Sequence, residues 1–61
     1  MNKPQLEKMT NEIYKSNLDV TNNAQDALSI TINTLSLQLD HKEITSGEYH
    51  VLLDYLWREY S

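Results

Sequence analysis

Apolar residues recur at the spacing of helical turns in three stretches of the chain. In the first stretch they lie three, four and seven residues apart, which draws one apolar stripe along a helix: Leu6, Met9, Ile13 and Val20. Pro4 suits the first turn, where its missing N–H would be unpaired in any case, so we expect this helix at about residues 4–18. Residues 16–23 are rich in Ser, Asn, Asp and Thr, whose side chains compete for backbone hydrogen bonds, and they predict a break or a kink.

The second stretch fits two kinds of structure. At helical spacing it predicts a helix at about residues 22–41, capped by Thr21 or Asn22. The stripe of that helix consists of Ala24, Leu28, Ile32, Leu35 and Leu39, with Ala27 and Ile30 beside it. At a spacing of two, residues 28–39 alternate between apolar and polar and could form a β-hairpin with an Asn-Thr turn. We favour the helix, because Asn-Thr is a weak hairpin turn and the rest of the chain offers no further strand.

The third stretch begins with a capping box. The Thr45 hydroxyl is expected to accept the N–H three residues on, while the Glu48 carboxylate reaches back to the Thr45 N–H. Ile44, directly before the box, can pack on the first turns of the helix. These residues predict a third helix at about residues 45–60.

A broad apolar face follows this cap. It consists of Tyr49, Leu52, Leu53, Leu56, Trp57 and Tyr60. Asp54 and Arg58 are spaced to form an ion pair across one helical turn. The connection over residues 40–43 is short, so the second and third helices should pack antiparallel as a hairpin.

The stretch Leu39 to Tyr49, with the leucines that follow it, resembles the short C-terminal helical-hairpin modules of many bacterial and phage proteins. In those modules a helix ends, an Ile-Thr capping turn follows and a second amphipathic helix begins. The resemblance implies a helical hairpin and identifies no catalytic residue. We therefore expect residues 1–61 to form one all-α domain of three helices with an antiparallel C-terminal hairpin.

The length of the chain raises the question of how the domain is stabilised. A domain of about 60 residues buries only roughly 60% of the surface that its unfolded chain exposes. With 61 residues and no cysteine, a disulfide cannot supply the missing stability. We therefore expect dimerisation to complete the helical arrangement.

Composition and charge argue against several classes of function. With one glycine and one proline, the sequence contains no glycine-rich loop that could bind phosphate. Its five basic residues are scattered among nine acidic ones and form no basic stripe for direct nucleic-acid binding. No apolar run approaches the length of a membrane span or a signal peptide, which favours a cytoplasmic protein. His41 and His50, with no cysteine, are a poor metal set, so we expect neither metal nor cofactor. No catalytic constellation is visible, and we expect a protein that is not an enzyme.

Acidic residues near the C-terminus suggest one specific alternative. A dense acidic surface can imitate a phosphate backbone and block a DNA-handling enzyme. The candidates are Asp40, Glu43, Glu48, Asp54 and Glu59. Because Lys42 and Arg58 lie among them, we favour an ordinary solvated face.

The last helix carries the candidate site. It is apolar around so much of its circumference that a chain this short has few residues to surround it, and Trp and Tyr are enriched at interface hot spots. The alternative is that Trp57 and Tyr60 pack onto the apolar stripe of the first helix and Tyr55 stays half exposed; we favour the interface. The expected partner-binding residues are Tyr49, Val51, Tyr55, Trp57, Arg58 and Tyr60. The sequence thus predicts a small regulator or inhibitor of bacterial or phage type that docks this surface on a larger protein. The alternatives are an assembly factor that acts only by oligomerisation and the acidic decoy.

Overall fold

Three α-helices make up the structure, a computed structural model that describes residues 2–60. They are α1 (Lys3–Thr21), α2 (Ala24–Asp40) and α3 (Ser46–Tyr60). No strand is present over these residues, which confirms the all-helical prediction. Residues 28–39 lie wholly within α2, so the β-hairpin alternative for this segment was wrong for the folded protein.

The first helix extends past its predicted end. Its start is capped by Asn2, whose side-chain oxygen accepts the Gln5 N–H at 3.0 Å. At its end the Thr21 hydroxyl donates to the Asn17 carbonyl at 2.9 Å, four residues back, and accepts the Asn23 N–H at 3.3 Å. The helix ends only at Asn22, which adopts a left-handed conformation with φ 52°.

The second helix begins at Ala24, two residues after its predicted start. Asn23, rather than Thr21 or Asn22, caps it, and its side-chain oxygen accepts the Asp26 N–H at 3.0 Å. At the other end, the N–H groups of Lys42 and Glu43 donate to carbonyls of the last turn at 3.0 and 2.8 Å. This is a Schellman ending, with Lys42 in the left-handed position at φ 61°.

The predicted capping box of α3 is present. The Glu48 N–H donates to the Thr45 hydroxyl at 3.1 Å, and the Thr45 N–H donates to the Glu48 carboxylate at 2.8 Å. Ile44 is buried directly before it. The local sequence therefore sets where α3 starts and how the chain enters it.

One apolar core joins the three helices. Its buried residues are Leu6, Tyr14, Ala27, Leu28, Leu35, Ile44, Leu52 and Leu56. The predicted stripe on α1 needs correction: Val20 is 82% exposed, and the buried face passes through Thr10 and Tyr14 instead. Val20 follows Tyr14 by six residues, which turns it about 120° away from that face. On α2, Ala24 is exposed rather than part of the core.

The contact between α1 and α2 is the most extensive in the bundle. Thr10 and Thr31 are fully buried, and each hydroxyl donates to the carbonyl four residues back, at 2.8 and 2.7 Å. The Thr31 hydroxyl also accepts the Asn17 side-chain amide at 3.1 Å, which links the two helices. Both buried hydroxyls thus have partners, as buried polar groups require.

Replacing Thr45 by alanine tests the contribution of the capping box. We expect Thr45→Ala to lower the free energy of unfolding by about 1 kcal/mol, because the Glu48 N–H loses its acceptor. Urea denaturation followed by circular dichroism measures the change. Ser46→Ala, which removes the adjacent hydroxyl outside the box, is the control and should unfold like the wild type. Equal unfolding curves for Thr45→Ala and the wild type would contradict the assignment.

Candidate interaction surface

The six predicted partner-binding residues lie in different surroundings in the structure. Tyr49, Trp57 and Tyr60 line a groove between α2 and α3. Tyr55 packs against Tyr60, and the other two residues, Val51 and Arg58, do not line the groove. Residues 49–60 of α3 therefore do not form one continuous face.

One part of the groove lies beside Trp57, and its volume is ≈ 490 Å³. Its lining residues are Ala24, Gln25, Leu28, Ser29, Ile32, Trp57 and Tyr60. Leu28 is buried, whereas the Trp57 side chain is 54% exposed. An indole that is half in water therefore lies beside an apolar depression.

The other part of the groove reaches Tyr49, with a volume of ≈ 410 Å³. Its lining residues are Ser29, Ile30, Ile32, Asn33, Ser36 and Tyr49. Ser29 and Ile32 line both parts, so we treat them together as the α2–α3 groove. None of its lining residues carries a charge, although 23% of the residues in the chain are charged. An apolar ligand could therefore enter the groove without desolvating an ion.

Three tyrosines connect α3 to α1. The rings of Tyr14 and Tyr60 stack with centroids 3.8 Å apart, and Tyr55 meets Tyr60 edge-on at 6.4 Å. Burial raises the pKa of the Tyr60 hydroxyl from the ordinary 10.0 to about 12, and the neighbouring Tyr55 adds to the shift. We call these three residues the tyrosine cluster. It anchors the end of α3, and with it one wall of the groove.

Val51 and Arg58 have separate contacts. Val51 is 41% exposed and lines a depression near the start of α1, together with Leu6 and Glu48. The Arg58 guanidinium pairs with the Asp54 carboxylate at 2.6 Å, as the sequence spacing predicted. Both of these charged side chains are well exposed, so the pair contributes little to stability.

Two of the predicted acidic residues have other partners in the fold, and the two histidines do not belong to a metal-binding group within residues 2–60. Of the five acids, Glu48 is engaged in the capping box and Asp54 in the pair with Arg58, so neither presents a free carboxylate. His41 ends α2, where its backbone N–H donates to the Leu37 carbonyl at 3.0 Å. His50 is exposed, with its ring 5.9 Å from that of Tyr49. Within residues 2–60, no three His, Asp or Glu side chains come close enough to hold a metal ion.

The α2 wall of the groove was missed in the sequence. Leu28 and Ile32 have the spacing of core residues, and Ser29 is an ordinary exposed position. The signal that could have identified this wall is the absence of charge from Ala27 to Leu39, because a helix covered on only part of its surface usually carries charges on the rest.

Comparison with known proteins supplies no relative from which a site could be transferred. No protein-family model matches the chain, and no curated protein or solved structure matches it significantly. In the part of the chain that the structure describes, no helix has the length and apolar character needed to cross a bilayer.

The raised pKa of Tyr60 predicts a loss of stability at high pH. Between pH 10 and 12 the unfolded chain releases a proton that the folded chain retains, so rising pH favours unfolding. The stabilisation is complete below pH 10 and is lost as the pH approaches 12. We expect Tyr60→Phe to show a shallower decline, measured as the urea midpoint at several pH values across this range.

The control for this measurement is Tyr49→Phe, which removes a hydroxyl outside the tyrosine cluster and should keep the wild-type slope. Comparing slopes rather than absolute midpoints separates the titration of Tyr60 from any constant effect of losing its hydroxyl. Identical slopes for Tyr60→Phe and the wild type would show that this group does not titrate as assigned.

Proposed function

We propose that this protein is a small non-enzymatic regulator or inhibitor that binds a larger protein through the α2–α3 groove. The observation that carries the proposal is the placement of Trp57, 54% exposed, at the edge of a groove without charged lining residues. Trp is the residue type most enriched among interface hot spots, and binding would remove its exposed apolar surface from water. The proposal keeps the expected cytoplasmic location and the bacterial or phage type.

The groove indicates how the partner would be recognised. Ile32 and Ser29 lie in both parts of the groove, so one apolar segment could extend from Trp57 towards Tyr49. An amphipathic helix, which presents apolar residues every three or four positions, has a suitable shape and chemistry. Docking would then occlude a surface of the partner, and the exposed Asp54–Arg58 pair would lie at the rim.

Two of the predicted partner-binding residues, Tyr55 and Val51, do not contact the partner in this proposal. Tyr60 lines the groove and is held by the tyrosine cluster, so Tyr55 would position it rather than contact the partner. Val51 lies with Leu6 and Glu48 and is left outside the docking face.

The proposed arrangement of α2 and α3 is an antiparallel hairpin. It is supported by the pairing of groove residues, because Leu28 lies near Trp57 whereas Ser36 lies near Tyr49. Two helices in this arrangement form a continuous groove along their length, which suits an elongated ligand.

A homodimer that covers the same groove is the second candidate function, in which the protein acts only by assembly. The supporting observation is again the exposed apolar surface of α2 and α3, since Ile30, Leu37 and Trp57 are each more than 40% exposed. A second copy of the chain would remove such residues from water.

Substitutions in the groove test the proposal. Trp57→Ala removes the anchor, and Ser29→Arg places a charge where both parts of the groove meet. We expect each to weaken partner binding by about 2 kcal/mol or more, roughly thirtyfold in Kd. The measurement is affinity capture from the source cells with wild type and variants, followed by Kd determination for the proteins that only the intact groove retains.

Matched controls are Val20→Ala, which trims an apolar side chain that is 82% exposed on α1, and Ser16→Arg, which adds the same charge on α1. Both should bind like the wild type. Unchanged Kd values for folded Trp57→Ala and Ser29→Arg would refute the docking proposal. Light scattering of the same variants and controls tests the second candidate function, the homodimer. If the protein acts as a homodimer, only the groove variants should turn the dimer into a monomer.

A further inference from the structure

Only some of the apolar residues of the helix α2 are buried. Leu28 and Leu35 are buried, and Ile32 and Leu39 are half-buried. Ile30 and Leu37, in contrast, are 42% and 53% exposed. A helix places these six residues at different angles around its axis, so they cannot all face the same neighbours.

An extended chain would arrange the same residues differently. Leu28, Ile30 and Ile32 alternate with polar residues, and so do Leu35, Leu37 and Leu39. In a β-strand, residues two positions apart lie on one face, so each triplet would form a fully apolar strand face. The exposed Ile30 and Leu37 would then lie between their apolar neighbours.

The composition of the segment also favours an extended form. From Ala27 to Leu39 there is no charge, no glycine and no proline, and the segment is rich in β-branched Ile and Thr. Uncharged segments of high β-propensity without proline are typical of cross-β assemblies. Its Ser, Thr, Asn and Ile residues are only moderate helix formers, so α2 depends on packing against α1 and α3.

We propose that residues 28–39 form a self-assembly segment, whose partner is the same segment in other copies of this chain. When α2 separates from α1 and α3, its backbone N–H and C=O groups lose their helical partners and pair instead between chains. The resulting intermolecular β-sheet buries Ile30 and Leu37, which the monomer leaves in water. This inference is independent of the docking function, since it concerns the opened rather than the folded chain.

The experiment incubates the full chain at its own melting midpoint and follows thioflavin T fluorescence and circular dichroism. We expect the wild type to lose helical signal and gain dye fluorescence after a lag, with a fibre diffraction reflection at about 4.7 Å from stacked strands. The test variant is Ile30→Lys combined with Leu37→Lys. Both positions are exposed in α2, so the helical fold should persist, and each lysine interrupts one apolar triplet. We expect loss of the dye signal.

The matched control is Val20→Lys combined with Val51→Lys, which also replaces two exposed apolar residues by lysine but lies outside the segment. Each variant is incubated at its own midpoint, so the same fraction of each chain is unfolded. Both pairs bring the net charge of −4 closer to zero, which in general promotes aggregation, and the control should assemble at least as fast as the wild type. The proposal is overturned by wild-type aggregates without the strand reflection, by fully reversible unfolding, or by equal effects of the two lysine pairs.

Discussion

The packing of α2 is the constraint on which the other features depend. Within the described chain, α1 and α3 both pack on this helix, and together they cover only part of its surface. Between Ala27 and Leu39 the remaining surface carries no charge, and it includes Ile30 and Leu37. Among the described residues nothing covers it, which leaves it to water or to another molecule.

The two helix contacts of α2 differ in character. Against α1, the buried Thr10 and Thr31 hydroxyls bond to carbonyls of their own helices, and the Asn17 amide bridges to Thr31, so these three side chains have partners inside the contact. Against α3, an uncharged groove remains open beside the exposed Trp57. The first contact is closed and structural, whereas the second leaves apolar surface to which a partner could bind. This asymmetry is the physical basis of the proposed docking face.

Local chemistry in the sequence predicted the start of α3 but neither the junction of α1 and α2 nor the helix faces. The capping box at Thr45 and Glu48 and the pair between Asp54 and Arg58 are present as predicted, because each involves residues within one turn. The break or kink predicted at residues 16–23 was placed too widely, because α1 continues to Thr21. The same polar side chain can end a helix or lie within it, and the local sequence does not show which of these outcomes occurs.

The sequence by itself determined where the third helix starts and which stretches are apolar enough to form a core, and it favoured a helix in the second stretch without excluding a hairpin. Only the tertiary structure decided which apolar residues are covered: Val20 lies in water, Tyr14 stacks on Tyr60, and Trp57 borders a groove. It also selected helix over strand for residues 28–39. The reason is that caps and ion pairs act over one turn, whereas burial depends on contacts between residues far apart in the chain.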